Sequence, residues 1–231
     1  MKKKLRIVLC SAIAVITLVW LTGAWVVLAA EKSVEQQGLV DKARITFESF
    51  MVDENMEWFK EHVNEAEGFL IVPDLLKGGF FLGGSGGSGV LVVKDEKTGD
   101  WSQPAFYTLG SVTFGLQIGG EKSEVIMMIR KRNALESFYS SSFKLGGDTS
   151  AAVGPVGVGA KATVTASIVS FARSKGAYIG LSLEGAVIKT SDSSNKAYYG
   201  KEVRPVDILV KKDVSNPGSA ALRQALKKAV K

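Results

Sequence analysis

The segment GFLIVPDLLKGGFFLGGSGGSGVLVVK, residues Gly68–Lys94, decides the fold of this chain. Glycine is crowded into a stretch that is otherwise built mainly from Phe, Leu and Val. A glycine inside a strand costs conformational entropy and has no side chain to pack, so this many must serve geometry: tight turns, bulges, or a second backbone lying close. We therefore interpret the following residues as structural glycines: Gly78, Gly79, Gly83, Gly84, Gly86, Gly87 and Gly89.

Three of these glycines, Gly84, Gly86 and Gly89, have the spacing G-x-G-x-x-G of a dinucleotide-binding loop. That loop binds a pyrophosphate only where a helix follows directly, because the helix N-terminus holds the phosphates. The next residues, GVLVVKD (Gly89–Asp95), instead predict a strand. We therefore expect no nucleotide site in this segment.

The rest of the chain predicts an α+β fold. Apolar residues recur at helical spacing over 39–67, with a break near Asp53, and Asn216-Pro217 opens a final helix. Between these helices, alternating apolar residues and glycine corners predict an antiparallel curved β-sheet or barrel-like core. The predicted elements are strands at Gly68–Val72, Gly89–Lys94, Ala105–Leu109, Ser111–Gly119, Glu124–Ile129 and Lys161–Ile168 and a short helix at Asn133–Ser140.

We predict a single domain over 39–231, with helices at its N- and C-terminal ends. A short polar linker, 31–38, precedes this domain. The domain divides into an acidic helical region (39–67), a β-rich core (68–215) and a basic C-terminal helix (216–231).

The first thirty residues predict a signal peptide or an N-terminal membrane anchor. Lys2, Lys3, Lys4 and Arg6 precede Ile7–Ala30, which contains no charged residue and is long enough to span a bilayer. Cleaved and uncleaved forms both remain open. Either form would place the domain outside the cytoplasm, in the periplasm or on the inner membrane.

Several long segments in a fixed order resemble a known family. These segments are Gly68–Gly89, WSQPAFYTLGSVTFGLQIGG (Trp101–Gly120), SSFKLGGDTSAAVGPVGVGAKA (Ser141–Ala162), FARSKGAYIGLSLEGAVIK (Phe171–Lys189) and NKAYYGK (Asn195–Lys201). Together they resemble the SYLF-domain family of lipid-binding proteins, in its bacterial secreted branch. The resemblance runs from about Lys42 to the C-terminus. It implies a non-enzymatic phospholipid-binding module. The phosphoinositide and actin links of eukaryotic members are not expected in a bacterial envelope.

Charge is divided unequally along the chain. The segment Glu31–Glu67 carries ten acidic and four basic residues, whereas Gly68–Lys231 carries 13 acidic and 21 basic residues. A basic body favours an anionic phospholipid or membrane surface as the partner. The alternative is an envelope protein that docks on the acidic helical region; nucleic acid is not expected. The candidate lipid-binding residues are Arg130, Lys131, Arg132, Lys175, Lys201, Arg204, Arg223, Lys227, Lys228 and Lys231.

The residues that could carry chemistry predict no catalytic or metal site and no cofactor. His62, the only histidine, lies among acidic residues with no nucleophile motif, and Cys10, the only cysteine, lies in the leader. Asp148 and Glu184 could form a carboxylate pair, but an acid in a glycine-rich turn more commonly binds backbone amides. Asp192 lacks the partners of a calcium loop, and we place it in a hairpin turn.

Overall fold

The structure of the chain is a computed structural model. The residues that it describes are 32–79, 82–114, 121–147, 149–160, 163–174, 177–178 and 183–230. The predicted leader, residues 1–30, lies outside them. The described residues form a single α+β fold with helices at both ends, as predicted.

The helices are α1 (32–52), α2 (Glu57–His62), α3 (Arg132–Phe138), α4 (Asp192–Tyr199), α5 (Pro205–Leu209) and α6 (Ala220–Ala229). Short 3₁₀ turns lie at Glu54–Met56, Val63–Glu65 and Pro217–Ser219. The strands are β1 (Gly68–Gly79), β2 (Leu82–Val93), β3 (Ala105–Phe114), β4 (Glu121–Ile129), β5 (Ser142–Lys144), β6 (Ala151–Val153), β7 (Ile168–Ser174), β8 (Ala177–Tyr178) and β9 (Val187–Thr190).

The described strands form one curled sheet in the order β5-β9-β3-β2-β1-β4-β7-β6, with β8 paired to β7. Neighbouring strands are antiparallel apart from the parallel pair β6–β7. The two edge strands, β5 and β6, are consecutive in the chain. In the segment that connects them, Leu145 and Thr149 form an isolated β-bridge. The predicted curved antiparallel core is therefore confirmed.

Both faces of the central sheet are buried. Leu70, Tyr107 and Met127 belong to the core on one face, together with side chains from α3 and α5. Phe69 and Ile126 belong to the opposite face, which is covered by the terminal helices. The side chains that α1 lays on this face are spaced three or four residues apart, as one helix face requires: Val40, Ala43, Phe47 and Phe50.

The predicted break in the acidic helical region is confirmed. Helix α1 ends at residue 52, and the Asp53 carboxylate accepts a hydrogen bond from Asn55 N to start the next turn. The segment 31–38, which we predicted to be a linker, is helical from residue 32. Two of its polar residues pack on the domain, because Gln36 is buried and the Gln37 side chain donates to Gly218 O at 3.0 Å, whereas Lys32 and Glu35 are exposed.

Two other local predictions are wrong. The segment 163–167 is not a strand, because side chains of Arg130 and Lys131 donate to the carbonyl oxygens of Val164 and Thr165 in place of a neighbouring strand. Asp192 lies in the first turn of α4 and not in a hairpin turn. An acidic residue is favourable there because it interacts with the positive end of the helix dipole.

Candidate functional site

The loop 94–101, which connects β2 to β3, is held by basic side chains from three separate elements. Lys212, which follows α5, pairs with Asp95. Arg132 Nε, at the start of α3, lies 3.2 Å from Glu96 Oε1. A contact from α6 completes the set: Lys227 Nζ lies 2.6 Å from Asp100 Oδ1.

The pairing of strands explains why these residues meet. Gly68, the first residue of β1, pairs with Val93 at the end of β2 and with Ile129 at the end of β4. Residues that follow β2 and β4 therefore emerge at the same end of the sheet, which places Lys94 beside Arg132. The distance from Arg132 Nη1 to Lys94 O is 3.3 Å.

Three more candidate residues lie at this end. Arg223 Nε donates to Trp101 O at 2.7 Å, which docks α6 on the end of the loop. Lys201 Nζ donates to Asp213 O at 3.3 Å, next to Lys212. Lys228 follows Lys227 and is exposed.

We call this surface the basic end. Its basic residues are Lys94, Lys97, Lys131, Arg132, Lys201, Lys212, Arg223, Lys227 and Lys228. Its acidic residues are Glu67, Asp95, Glu96, Asp100 and Asp213. Lys94, Lys97 and Lys212 were not among the residues predicted from the sequence. These distant segments come together only through the pairing of β1 with β2 and β4 and the docking of α6.

Two acidic side chains of the loop 94–101, Asp95 and Asp100, have pKa values below the usual range of an aspartate. The hydrogen bond from Lys212 holds the pKa of the Asp95 carboxyl well below its usual range. The hydrogen bond from Lys227 lowers the pKa of Asp100. Asp95 Oδ1 also accepts hydrogen bonds from the backbone N–H groups of Lys97 and Thr98, so the same carboxylate builds the turn.

Other candidate residues have structural roles or lie elsewhere. Arg130 is mostly buried: its guanidinium lies over the Trp58 ring, and its Nε donates to Glu65 Oε2 at 3.0 Å. Arg204 pairs with Asp207 at the start of α5, beside a groove of about 470 Å³ that is separate from the loop 94–101. Lys175 and Lys231 lie outside the described residues.

The acidic helical region is in part exposed. The side chains of Glu54 and Glu61 are exposed, whereas Glu57 Oε2 accepts a hydrogen bond from Gly159 N at 2.7 Å. Val52, two residues before Glu54, is 80% exposed. Glu57 therefore holds the loop that contains Gly159. As a result, fewer acidic side chains of this region are available for docking than the sequence suggested.

Two of the residues considered for chemistry, His62 and Glu184, lie within the part of the chain that the structure describes. The His62 ring stacks on Trp58 at 3.9 Å, and its Nδ1 lies 2.8 Å from Trp58 O, so it packs within its own helix. Glu184 is exposed, and Asp148 lies outside the described residues. Across the described ranges, no group of three or more His, Cys, Asp or Glu side chains is arranged to hold a metal ion. Within those same ranges, no helix has the length and apolar character needed to cross a membrane.

Comparison with known proteins identifies one family. A family model described as "Ysc84: Las17-binding protein actin regulator" matches residues 110–229, just over half of the chain. This range contains β4 to β9 and α3 to α6, and it includes most of the basic end.

Individual relatives agree with this match. The SH3 domain-containing YSC84-like protein 1 of Rattus norvegicus is 31% identical over 156 residues, which cover 65% of this chain and 45% of the relative. The human protein of the same name is 30% identical over 152 residues, covering 64% and 44%. The LAS seventeen-binding protein 3 of Saccharomyces cerevisiae is 32% identical over 145 residues, covering 60% and 31%. The chain thus matches less than half the length of these relatives.

Proposed function

The chain belongs to the Ysc84 family, also called the SYLF-domain family, and from that premise we propose that it is a non-enzymatic module that binds anionic phospholipid through the basic end. The observation that carries the proposal is the gathering of basic residues from three separate segments around the loop 94–101: α3, the segment after α5, and α6. Each Lys or Arg held near an anionic leaflet contributes about 1 kcal/mol to binding.

The arrangement of the basic end suits a surface ligand better than an enclosed one. Apart from the half-buried Lys94, its lysines are exposed, and those that contact the loop 94–101 do so from the surface. Headgroup phosphates lie side by side in a leaflet, so several exposed cations can each contact a different lipid. Such binding is electrostatic and weakens as salt is added.

The test measures flotation of the protein as purified with phosphatidylcholine vesicles, with and without phosphatidylglycerol, across a salt series. We expect additional binding that requires phosphatidylglycerol and decreases with salt. The double variant Lys131→Glu/Lys228→Glu should lose about tenfold or more of that binding. The matched control Lys32→Glu/Lys189→Glu makes the same charge change at exposed positions of α1 and β9 and should lose less. Equal losses in the two variants would contradict a localised site.

We further propose that the protein acts in a bacterial cell envelope, outside the cytoplasm. This proposal rests on the charge-free stretch Ile7–Ala30 behind four basic residues. Fractionation of cells that express the tagged protein tests it: recovery in the cytoplasmic fraction would contradict it.

A second candidate function is protein docking on the acidic helical region. The observation in its favour is the exposed Val52, two residues before the exposed Glu54, in a region that also exposes Glu61. The names of the family model and the yeast relative, which describe Las17 binding by those proteins, also favour a protein partner. Crosslinking of wild type and a Glu54→Lys/Glu61→Lys variant tests this function, and retention of every crosslinked partner by the variant would contradict it. Glu57 is left unchanged because it holds Gly159.

A further inference from the structure

We infer that the loop 94–101 is a built-in competitor for the anionic ligand: its carboxylates occupy the basic end at rest, and lipid phosphates displace them on binding. This inference rests on the proposed function of the basic end and adds how that site is regulated. It assigns to Asp95, Glu96 and Asp100 a role that opposes binding.

The carboxylates of the loop 94–101 pair with basic side chains from three separate segments. Three carboxylates that lie within six residues of one loop hold three cations that come from α3, from the segment after α5, and from α6. A single anionic segment therefore neutralises the centre of a surface that elsewhere carries an excess of positive charge. The loop stands where an external anion would have to bind.

The three ion pairs between the loop and the basic side chains can be exchanged for contacts with another anion. The three basic side chains are 42–68% exposed, and exposed ion pairs add little net stability because water screens them. Lys and Arg bind phosphate oxygens as readily as carboxylate oxygens, and Arg can bind either in a bidentate manner. A leaflet that presents many phosphates can therefore replace the loop carboxylate at Lys212 and at Lys227, whereas Arg132 also pairs with Glu67, with 3.5 Å between Nη1 and Oε2.

The loop 94–101 keeps its shape when its basic partners leave. Asp95 Oδ1 accepts the turn-forming hydrogen bonds from the backbone N–H groups of Lys97 and Thr98, whereas Oδ2 faces Lys212. Backbone hydrogen bonds close the same turn, from Gly99 N to Asp95 O and from Asp95 N to Asp100 O, each 2.8 Å long. Displacement of Lys212 thus does not require the loop to unfold.

The state of the carboxylates agrees with a permanent competitor. The hydrogen bonds from Lys212 and Lys227 lower the pKa values of Asp95 and Asp100, so both side chains remain charged at neutral and mildly acidic pH. The competition should therefore not depend on pH in the physiological range.

The experiment compares binding to vesicles of phosphatidylcholine and phosphatidylglycerol. The loop variant is Asp95→Asn/Glu96→Gln/Asp100→Asn. It removes the three charges, while the amide oxygen that replaces Oδ1 of Asp95 can still accept the turn hydrogen bonds. The matched control is Glu35→Gln/Glu54→Gln/Glu121→Gln, which makes the same change in net charge at residues away from the basic end.

We expect the loop variant to bind about fivefold or more tightly than the control, which corresponds to at least one cation set free to meet the leaflet. If wild type binds the vesicles, and the loop variant and the control bind with equal affinity, the inference is overturned and the proposed function remains intact. Binding by the loop variant alone would support the inference and would mean that the resting wild type is closed. No binding by any variant would overturn both proposals.

A single variant keeps the test decisive if the triple variant does not fold. Asp95→Asn changes only the oxygen that faces Lys212 and preserves the turn. We expect Asp95→Asn to bind the vesicles more tightly than wild type, and by a larger factor than Glu54→Gln, which is the single-substitution control. An equal gain in the two single variants would contradict the inference.

Discussion

Gly89 of β2 lies against the backbone of Ile71 in β1 so closely that a Cβ at Gly89 would be 2.5 Å from Ile71 O. The same holds two residues away, where a Cβ at Gly87 would be 2.6 Å from Asp74 O. Both contacts lie at the bulge of β1, where the pairing with β2 shifts between Ile71 and Asp74. A bulge bends its strand and disturbs the neighbouring ladder, so only glycine fits opposite it.

This relationship predicts different effects of alanine at glycines of one strand. Gly89→Ala should lower the free energy of unfolding by about 2–3 kcal/mol, because the added methyl group meets backbone atoms that cannot move aside cheaply. Gly86→Ala should change it by no more than about 0.5 kcal/mol, since the nearest atom to its Cβ would be 3.8 Å away. Urea unfolding curves of the two variants measure the difference. Equal midpoints would contradict the role of close approach.

The glycines also show how far the sequence could lead. Their crowding predicted tight turns, bulges or a close backbone, because glycine inside a strand needs a geometric reason. A close backbone at a bulge is found at Gly87 and Gly89, whereas a Cβ at Gly78 would meet nothing within 4 Å. The crowding did not predict that β1 and β2 would each continue for 12 residues through the glycines. Strand pairing on both sides of β2 compensates for the missing side chains, and that pairing is a property of the whole sheet.

The candidate site was only partly predictable for a related reason. Arg132, Arg223 and Lys227 could be selected as basic residues near apolar segments. Whether a basic residue faces solvent or packs inside depends on its tertiary partners: Arg130, two residues before Arg132, lies over Trp58 and is mostly buried. No local pattern distinguishes these two arginines.

Arg173 joins α1 to the sheet through a partly buried network. Its Nε donates to Glu124 Oε2 at 2.8 Å, and one terminal nitrogen donates to Ser49 Oγ at 2.6 Å. Arg173 is only 16% exposed and also pairs with Asp53. We predict that Arg173→Met lowers the free energy of unfolding by about 2–4 kcal/mol, because Glu124 would lose its main partner in a partly buried place.

Thermal and urea unfolding of Arg173→Met measure this effect, with Lys196→Met as the control. Lys196 pairs with Glu202 at 2.8 Å, but both side chains are largely in water, so the control should cost less than about 0.5 kcal/mol. If the two variants were equally stable, the network would not anchor α1.

Asn216 begins the C-terminal helical segment, as the sequence predicted. Its Oδ1 accepts a hydrogen bond from Gly218 N, and its Nδ2 donates to Tyr198 O, each at 2.9 Å. We predict that Asn216→Ala lowers the free energy of unfolding by about 1–2 kcal/mol, because both bonds are lost. Asn216→Asp keeps the cap and loses the donor to Tyr198 O, so its stability in urea unfolding should lie between wild type and Asn216→Ala. An Asp variant as unstable as the Ala variant would contradict the capping role.

Buried tyrosines make the stability of the protein depend on alkaline pH. Burial raises the pKa of the Tyr107 hydroxyl, which donates to Phe138 O at 2.6 Å. Burial likewise raises the pKa of Tyr199, whose hydroxyl donates to Pro104 O at 2.6 Å. In the unfolded chain a tyrosine ionises with a pKa of about 10.

The sign follows from which state binds more protons. Above pH about 10 the unfolded chain releases the phenolic protons that the folded protein retains, so the free energy of unfolding decreases as pH rises. Each such tyrosine should contribute a loss of about 1 kcal/mol between pH 10 and pH 11. Urea unfolding at pH 9, 10 and 11 measures this loss. Tyr107→Phe should be less stable than wild type at pH 9 but should lose about 1.4 kcal/mol less on going to pH 11. Parallel pH profiles for wild type and Tyr107→Phe would contradict the assignment, because removing a hydroxyl that does not titrate between the two states leaves the slope unchanged.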